Sequence, residues 1–467
     1  MNAANRSTGQ NVIVVVSDTL RTAFLGCYGN DEIDTRNIDK FAGDGALFAK
    51  AYPESLPTIP MRRAVHTGRR AFPFADYRPV PWDNVYIPGW QPMSRNETTI
   101  AETLVQAGYH TGFYADVPHY FVPGMNFIRG FRQWEYIRGQ AEDRYNAAHR
   151  ADEKLLLKYV GGSDRNRHHI VNVRPEMAEE EWPTARTFRK AIQFVQENRS
   201  NTPFYLYVDT FSPHETWESP IHYYELYGKL EDRIPLPLNT HYGPISQNPE
   251  FEPYIPTLRA NYSGLVTMVD RWFGKLLDTI DGLGLRDNTT VIFTSDHGTN
   301  FADNCEGVVG KPAPYLYPGT MHVPLIIRYP DGAGAGSRIE DLVYTLDIPA
   351  TILDICKCGG SIDGQSLDPL MRGDSSWTDR GYLTCRYGNT VWYFDNEIWF
   401  FSSTEFEEMR LFDIRSDPGC TVNIAEKAPD LIQRAKAKIL DDAGGALVTY
   451  ERKGLTDALG RPVFETK

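Results

Sequence analysis

The chain has 467 residues, and 48 Lys and Arg against 61 Asp and Glu leave a formal net charge of −13. That length suits one large α/β domain with an appendage, or two to three domains, and 41% hydrophobic with 23% charged residues excludes disorder throughout. The acidic balance argues against a nucleic-acid partner, which wants clustered Lys and Arg, but leaves small anionic ligands open because a few local cations dominate a buried site.

The segment Met1 to Asn11 is polar and lacks the apolar core and cleavage pattern of a secretory leader. The apolar run Val12 to Val16 is a buried strand's length, far below the ~20 residues of a membrane-spanning helix, so no membrane association is expected. Asn11 to Asp18 predicts a parallel strand buried on both faces. In Ser55 to Arg69, Pro60 fits the first turn of a helix that Gly68 ends. Thr99 and Glu102 form a capping-box pattern ahead of Ile100, Leu104 and Val105, with Gly108 as the stop. Phe204 to Phe211, Thr290 to Ser295 and Pro324 to Arg328 read as strands, and Leu265 to Ile280 as an amphipathic helix. From about Ser375, aromatic runs (Thr390 to Phe394, Ile398 to Phe401) and a helix over Pro429 to Asp441 indicate a smaller α+β unit.

Strands alternating with helices predict an α/β fold: a large mixed, mainly parallel sheet sandwiched by helices, over residues 1–374, with a C-terminal α+β subdomain over 375–467. Three stretches read as insertions: Phe72 to Trp90, the charged Ala141 to Asn198 with a loop-like middle at Gly161 to Arg165, and the Tyr- and Pro-rich Ser219 to Pro256. They are expected to be solvated excursions, lids or contacts in a homo-oligomer. Cys27, Cys305, Cys356, Cys358, Cys385 and Cys420 are too sparse for a disulfide framework, and the Cys356–Cys358 pair has no second pair to complete a zinc site. Reduced thiols and a cytoplasmic location are the expectation, with a secreted form freed of its leader as the alternative.

In such a sheet, ligands gather at the carboxyl ends of strands. Two of those ends carry metal-type residues: Ser17-Asp18, and Ser295-Asp296-His297-Gly298. Asp18 alone fits an ordinary helix cap as well. Thr58 lies at the positive end of the Pro60 helix, where its hydroxyl can be activated by a metal and by free backbone N–H groups, with Arg62 as an oxyanion clamp. On these residues alone, an ordinary cap is the first reading of Thr58.

The string Thr58-x-Pro60-x-Arg62-x-x-x-x-Thr67-Gly68 resembles the signature of the sulfatase family of the alkaline phosphatase superfamily, which has Cys or Ser where Thr58 stands. Asp18-Thr-Leu-Arg21, Gly26 to Gly29, Thr35 to Asp39, Phe211-Ser-Pro-His214, Thr294 to Gly298, Lys311, Asp363 to Leu367 and Leu411 to Pro418 follow the family's order, so the resemblance spans about residues 11 to 425. It implies one metal ion held by Asp18, Asp296, His297 and the nucleophile Thr58. Arg62, His214 and Lys311 would surround the substrate's charged oxygens, and His119, one place off the family's spacing, would join them. His66 and His322 read as structural, although a second ion on Asp209, His214 and His322 is a variant of the same site.

Two departures from the family pattern matter. Ser17 replaces the first of two adjacent Asp residues, which removes a hard oxygen donor and tilts the expected metal from Ca²⁺ toward Mn²⁺ or Zn²⁺. Thr58 replaces the residue that sulfatases mature to formylglycine, so no formylglycine is expected. An ordinary alkoxide needs water to displace the transferred group from the enzyme, which phosphorus tolerates better than sulfur. The expected activity is hydrolysis of phosphodiesters or phosphonate monoesters by in-line attack of Thr58, similar to phosphonate monoester hydrolases and phosphodiesterases of the superfamily. A sulfatase acting on an organic sulfate is the alternative, and a non-hydrolytic anion-binding or transferase relative the second alternative.

Overall fold

The apolar run after Asn11 forms β1 (Asn11–Ser17), a strand with every residue buried. It lies near the middle of an eight-stranded sheet with β2 (Ala46–Tyr52), β3 (His110–Ala115), β4 (Gln133–Tyr136), β5 (Phe204–Thr210), β6 (Thr289–Thr294), β7 (Leu325–Arg328) and β8 (Arg338–Tyr344). The computed structural model describes residues 9–75, 77, 87–140, 143–147, 164–234 and 242–450. Spatial order is β8-β2-β7-β6-β1-β5-β3-β4, and every pairing is parallel except those of β7, which runs against both β2 and β6.

The pleat of β1 divides two cores. Ile13 and Val15 pack with one cluster and Val12, Val14 and Val16 with another, so both faces of the strand are apolar. Helix α1 (Thr58–Thr67) and helix α2 (Ile100–Gln106) contribute to the second cluster. The capping box of α2 is present, with Thr99 accepting from the Glu102 N–H at 3.0 Å and Glu102 accepting from the Thr99 N–H at 2.8 Å. Helix α3 (Pro183–Glu197) and helix α4 (Ile255–Gly282) cover the first face.

The stretch Ala141 to Asn198 is therefore not wholly an insertion. Its C-terminal part is α3, which buries Ala185, Phe188, Ala191, Phe194 and Val195 against the sheet; the dense charges lie on its outer face and hid that apolar stripe. Ser219 to Pro256 likewise buries Tyr223, Tyr224 and Phe251 rather than running over the surface. Most of Phe72 to Trp90 and of the Gly161 to Arg165 loop lies outside the described residues.

In the C-terminal part, β9 (Leu383–Tyr387), β10 (Thr390–Phe394), β11 (Ile398–Ser403) and β12 (Arg410–Asp413) form an antiparallel meander backed by helix α5 (Pro429–Asp442). The strand Ser55–Leu56, which ends two residues before Thr58, adds to β9 in parallel. The C-terminal sheet thus anchors the chain just ahead of α1.

The other end of α1 is set by Gly68, at φ +67°, whose N–H donates to Ala64 O at 2.7 Å. A Cβ there would stand 2.2 Å from Ile362 Cδ1. Gly68→Ala is expected to cost about 1–3 kcal/mol through left-handed strain and that clash. Urea denaturation measures it, and an unchanged midpoint would show that α1 does not need glycine at its end.

Candidate active site

Parallel pairing brings the chemistry to one edge of the sheet. Val16 of β1 is level with Asp209 of β5 and Thr294 of β6, so Asp18, Asp209 and Asp296-His297 emerge side by side. Asp18, Asp296 and His297 are fully buried, and each offers a ligand atom within 4.8 Å of the others. Thr19 ties two of them together: its N–H donates to Asp296 Oδ1 at 2.9 Å and its hydroxyl to Asp18 Oδ1 at 2.7 Å. Thr19 has φ +64°, a costly conformation for a β-branched residue, and Tyr262 helps hold it by donating to its carbonyl at 2.7 Å.

These residues fit a divalent cation. His297 Nδ1 donates to Gly298 O at 3.0 Å, so the lone pair sits on Nε2, and burial lowers its pKa to about 4, keeping the ring neutral. His297 Nε2 is buried without a hydrogen-bond partner, and Asp18 Oδ2 has the Arg62 guanidinium at 3.0 Å but accepts no well-aligned hydrogen bond. Burial, then the charge of Asp296, push the Asp18 carboxyl up to about 7 against the opposing charge of Arg62. The Ser17 hydroxyl donates to Ser212 O at 2.8 Å.

Arg62 is fully buried at the centre of the carboxylates. Its Nε and Nη2 donate to Asp209 Oδ2 and Oδ1, each at 2.8 Å; Nη2 lies 3.0 Å from Asp18 Oδ2, and Nη1 pairs with Asp296. Burial opposes the guanidinium charge, but Asp209, Asp296 and Asp18 outweigh it and hold the pKa well above its ordinary value. In this structure the donors of Arg62 are engaged by protein carboxylates. Arg62 Nη1 also donates to the Thr58 carbonyl oxygen at 3.3 Å, which places the first turn of α1 beside the Asp18–Asp296–His297 group. Thr58 itself is 3% exposed.

A second cluster adjoins the first through Thr19. Lys311 Nζ donates to Thr19 Oγ1 at 3.3 Å and to Glu215 Oε2 at 2.6 Å. His214 Nδ1 donates to Glu215 O at 2.7 Å and lies 3.0 Å from Glu215 Oε2. The His214 ring stacks on Phe211 with centroids 3.9 Å apart, and His119 packs on the same Phe211 at 6.2 Å and on Trp90 at 4.9 Å.

The two-ion variant is not assembled. His322 Nε2 donates to Ala49 O at 2.8 Å and Nδ1 accepts from Thr22 Oγ1 at 3.1 Å, while Arg62 and Tyr120 engage both oxygens of Asp209. Among the described residues, Asp18, Asp296 and His297 are the one group placed to hold a metal. His66 is a core residue ringed by Phe113, Tyr120, Phe127, Phe131 and Tyr207.

Sequence reasoning missed Glu215 as a site residue and the bond between Asp209 and Arg62. Asp209 carried a usable signal, a lone acid near the end of an otherwise apolar strand; Glu215 carried none beyond its place next to His214.

The protein-family model "Sulfatase" matches residues 10–357, and the model "N-sulphoglucosamine sulphohydrolase, C-terminal" matches residues 313–442. The chain belongs to the sulfatase family. This sulfatase-family chain is 25% identical to an arylsulfatase of Clostridium perfringens, with 89% of the chain and 90% of the relative covered. Its fold is similar to that of the phosphonate monoester hydrolase of Agrobacterium radiobacter, at a TM-score of 0.70 and 19% identity over 93% of this chain and 95% of the other. It is also similar to a structure solved in complex with D-glucosamine-2-N,6-O-disulfate, at a TM-score of 0.69 and 19% identity over 94% and 98% of the two chains. The protein is an ester hydrolase on an alkaline phosphatase-like fold. No helix among the described residues is long and apolar enough to cross a membrane, and the six cysteines are free thiols.

Proposed function

We propose that this sulfatase-family enzyme hydrolyses phosphodiesters or phosphonate monoesters with the side chain of Thr58 as nucleophile, assisted by one divalent cation. The observation that carries the reading is the position of Thr58: it is the first residue of α1, joined through Arg62 to Asp18 and Asp296, where sulfatases carry a residue matured to formylglycine. A divalent cation on Asp18, Asp296 and His297 would stabilise negative charge on the reacting oxygens when bound, and two carboxylates with one imidazole suit Mn²⁺ or Zn²⁺ better than Ca²⁺.

The positive end of α1 favours an anionic Thr58 oxygen. That oxygen attacks phosphorus in line, the bond from phosphorus to the leaving alcohol breaks, and the electron pair departs on the alcohol oxygen. With Nδ1 donating to Glu215, Nε2 is the His214 nitrogen left to exchange a proton with the leaving oxygen, and His119 is the other candidate acid. Lys311 bears on the non-bridging oxygens. Water then attacks phosphorus, the imidazole takes its proton, and the bond from phosphorus to Thr58 Oγ1 breaks, returning the threonine oxygen in the anionic form in which it began.

A second reading, hydrolysis of an organic sulfate, draws support from the arylsulfatase relative and from the C-terminal match. Matched aryl esters separate the two: sulfate, phosphate monoester, phosphodiester and phosphonate monoester, each with Mn²⁺, Zn²⁺ and Ca²⁺. The diester and phosphonate are expected to turn over fastest while intact mass confirms unmodified Thr58. Much faster sulfate turnover by that same protein would replace the proposal with the second reading.

A further inference from the structure

Glu215 is buried against Lys311 and His214. The residue is 4% exposed, yet its carboxylate is ionised: burial works against the charge, but Lys311 and then His214 outweigh burial and hold the pKa well below the usual range. Oε2 takes the Lys311 ammonium at 2.6 Å and lies 3.0 Å from His214 Nδ1, and Oε1 accepts from Tyr242 at 2.5 Å. The Lys311 cation therefore does not present a whole positive charge to an incoming anion. Arg62 presents none either, being ringed by Asp18, Asp209 and Asp296. A divalent cation would bring these four carboxylates and two side-chain cations only to formal balance, so each further negative charge on the ligand would meet no surplus of positive charge and a dianion would be penalised more than a monoanion.

We propose that Glu215 sets the charge this site accepts, making it selective for ester groups with one negative charge over those with two. Glu215 is a specificity-determining residue that acts through Lys311 and His214 and does not itself touch the ester. From the proposed function the inference takes only that the anionic group lies against Lys311 and His214; it depends neither on phosphorus nor on Thr58.

The test uses two non-hydrolysable probes of the same shape, benzenesulfonate with one negative charge and phenylphosphonate with two. Calorimetric titration of the metal-loaded enzyme at mildly alkaline pH is expected to show benzenesulfonate binding at least as tightly as phenylphosphonate. In Glu215→Gln, the phenylphosphonate affinity should rise about tenfold relative to benzenesulfonate, and Glu215→Asp should keep the wild-type order. Tighter binding of phenylphosphonate by the wild type, or a Gln variant that shifts both probes equally, would overturn the proposal. The wild-type order decides alone should Glu215→Gln not fold. Because neither probe turns over, failure of the Thr58 reading in the ester panel and failure here are separate results.

Discussion

Thr58→Ala is expected to lower kcat for the preferred ester by about a thousandfold or more while leaving the folded structure in place. The substitution removes a hydroxyl and a methyl at the first residue of a helix already fixed at Pro57 by the Ser55–Leu56 strand pairing and at Gly68 by its left-handed turn. The expected stability cost is small, about 1 kcal/mol. Thr58→Ser keeps the oxygen proposed as the nucleophile and should retain a measurable fraction of the activity, because only β-branching and its rotamer restriction are lost. Stopped-flow kinetics with an aryl ester adds a second readout: wild type should release the aryl alcohol in a burst as Thr58 is phosphorylated, a burst that the Ala variant lacks. An Ala variant hydrolysing all four ester classes at the wild-type rate would mean that water, positioned by the remaining residues, is the nucleophile.

The fold was legible in the sequence wherever the physics is local. Val12 to Val16, Phe204 to Val208 and Val291 to Phe293 are apolar on both faces, and only a strand inside a parallel sheet covered on both sides tolerates that. The Thr99–Glu102 capping box and Gly68 were equally readable, since each satisfies a requirement within one turn of helix. The layer role of α3 was hidden because Arg186, Arg189, Lys190 and Glu197 sit among its buried residues, so composition outvoted periodicity.

The site divides in the same way. Asp18, Asp296 and His297 follow strands whose ends parallel pairing must bring level, so their convergence could be anticipated. What Arg62 does could not be. Whether a guanidinium faces ligand or carboxylate depends on Asp209, 147 positions away, and no spacing within the Thr58 to Gly68 string encodes that partner. The pairing of Glu215 with Lys311, 96 positions apart, is equally non-local.

The position of Arg62 carries the second large expectation. Removing it leaves Asp18, Asp209 and Asp296 buried together with no cation among them, and Arg62→Ala is expected to cost about 3–5 kcal/mol in chelator. Arg62→Lys should recover little, because a single ammonium cannot fork across both oxygens of Asp209 while reaching two further carboxylates. The deficit should depend on pH with a definite sign. In the folded wild type Asp18 is already raised to about 7 from an ordinary 3.8, chiefly by burial and then by Asp296, and loss of Arg62 removes an influence that lowers it. A carboxyl whose folded pKa exceeds its unfolded pKa contributes stability at acid pH that disappears as pH rises through the folded value. Urea denaturation in chelator should therefore find Arg62→Ala closest to wild type near pH 4–5 and progressively weaker through pH 7 and above. Mn²⁺ or Zn²⁺ should restore part of the loss, because a cation on Asp18, Asp296 and His297 supplies the missing positive charge. A variant as stable as wild type in chelator at pH 8 would show that the guanidinium is not the counter-ion holding these carboxylates together.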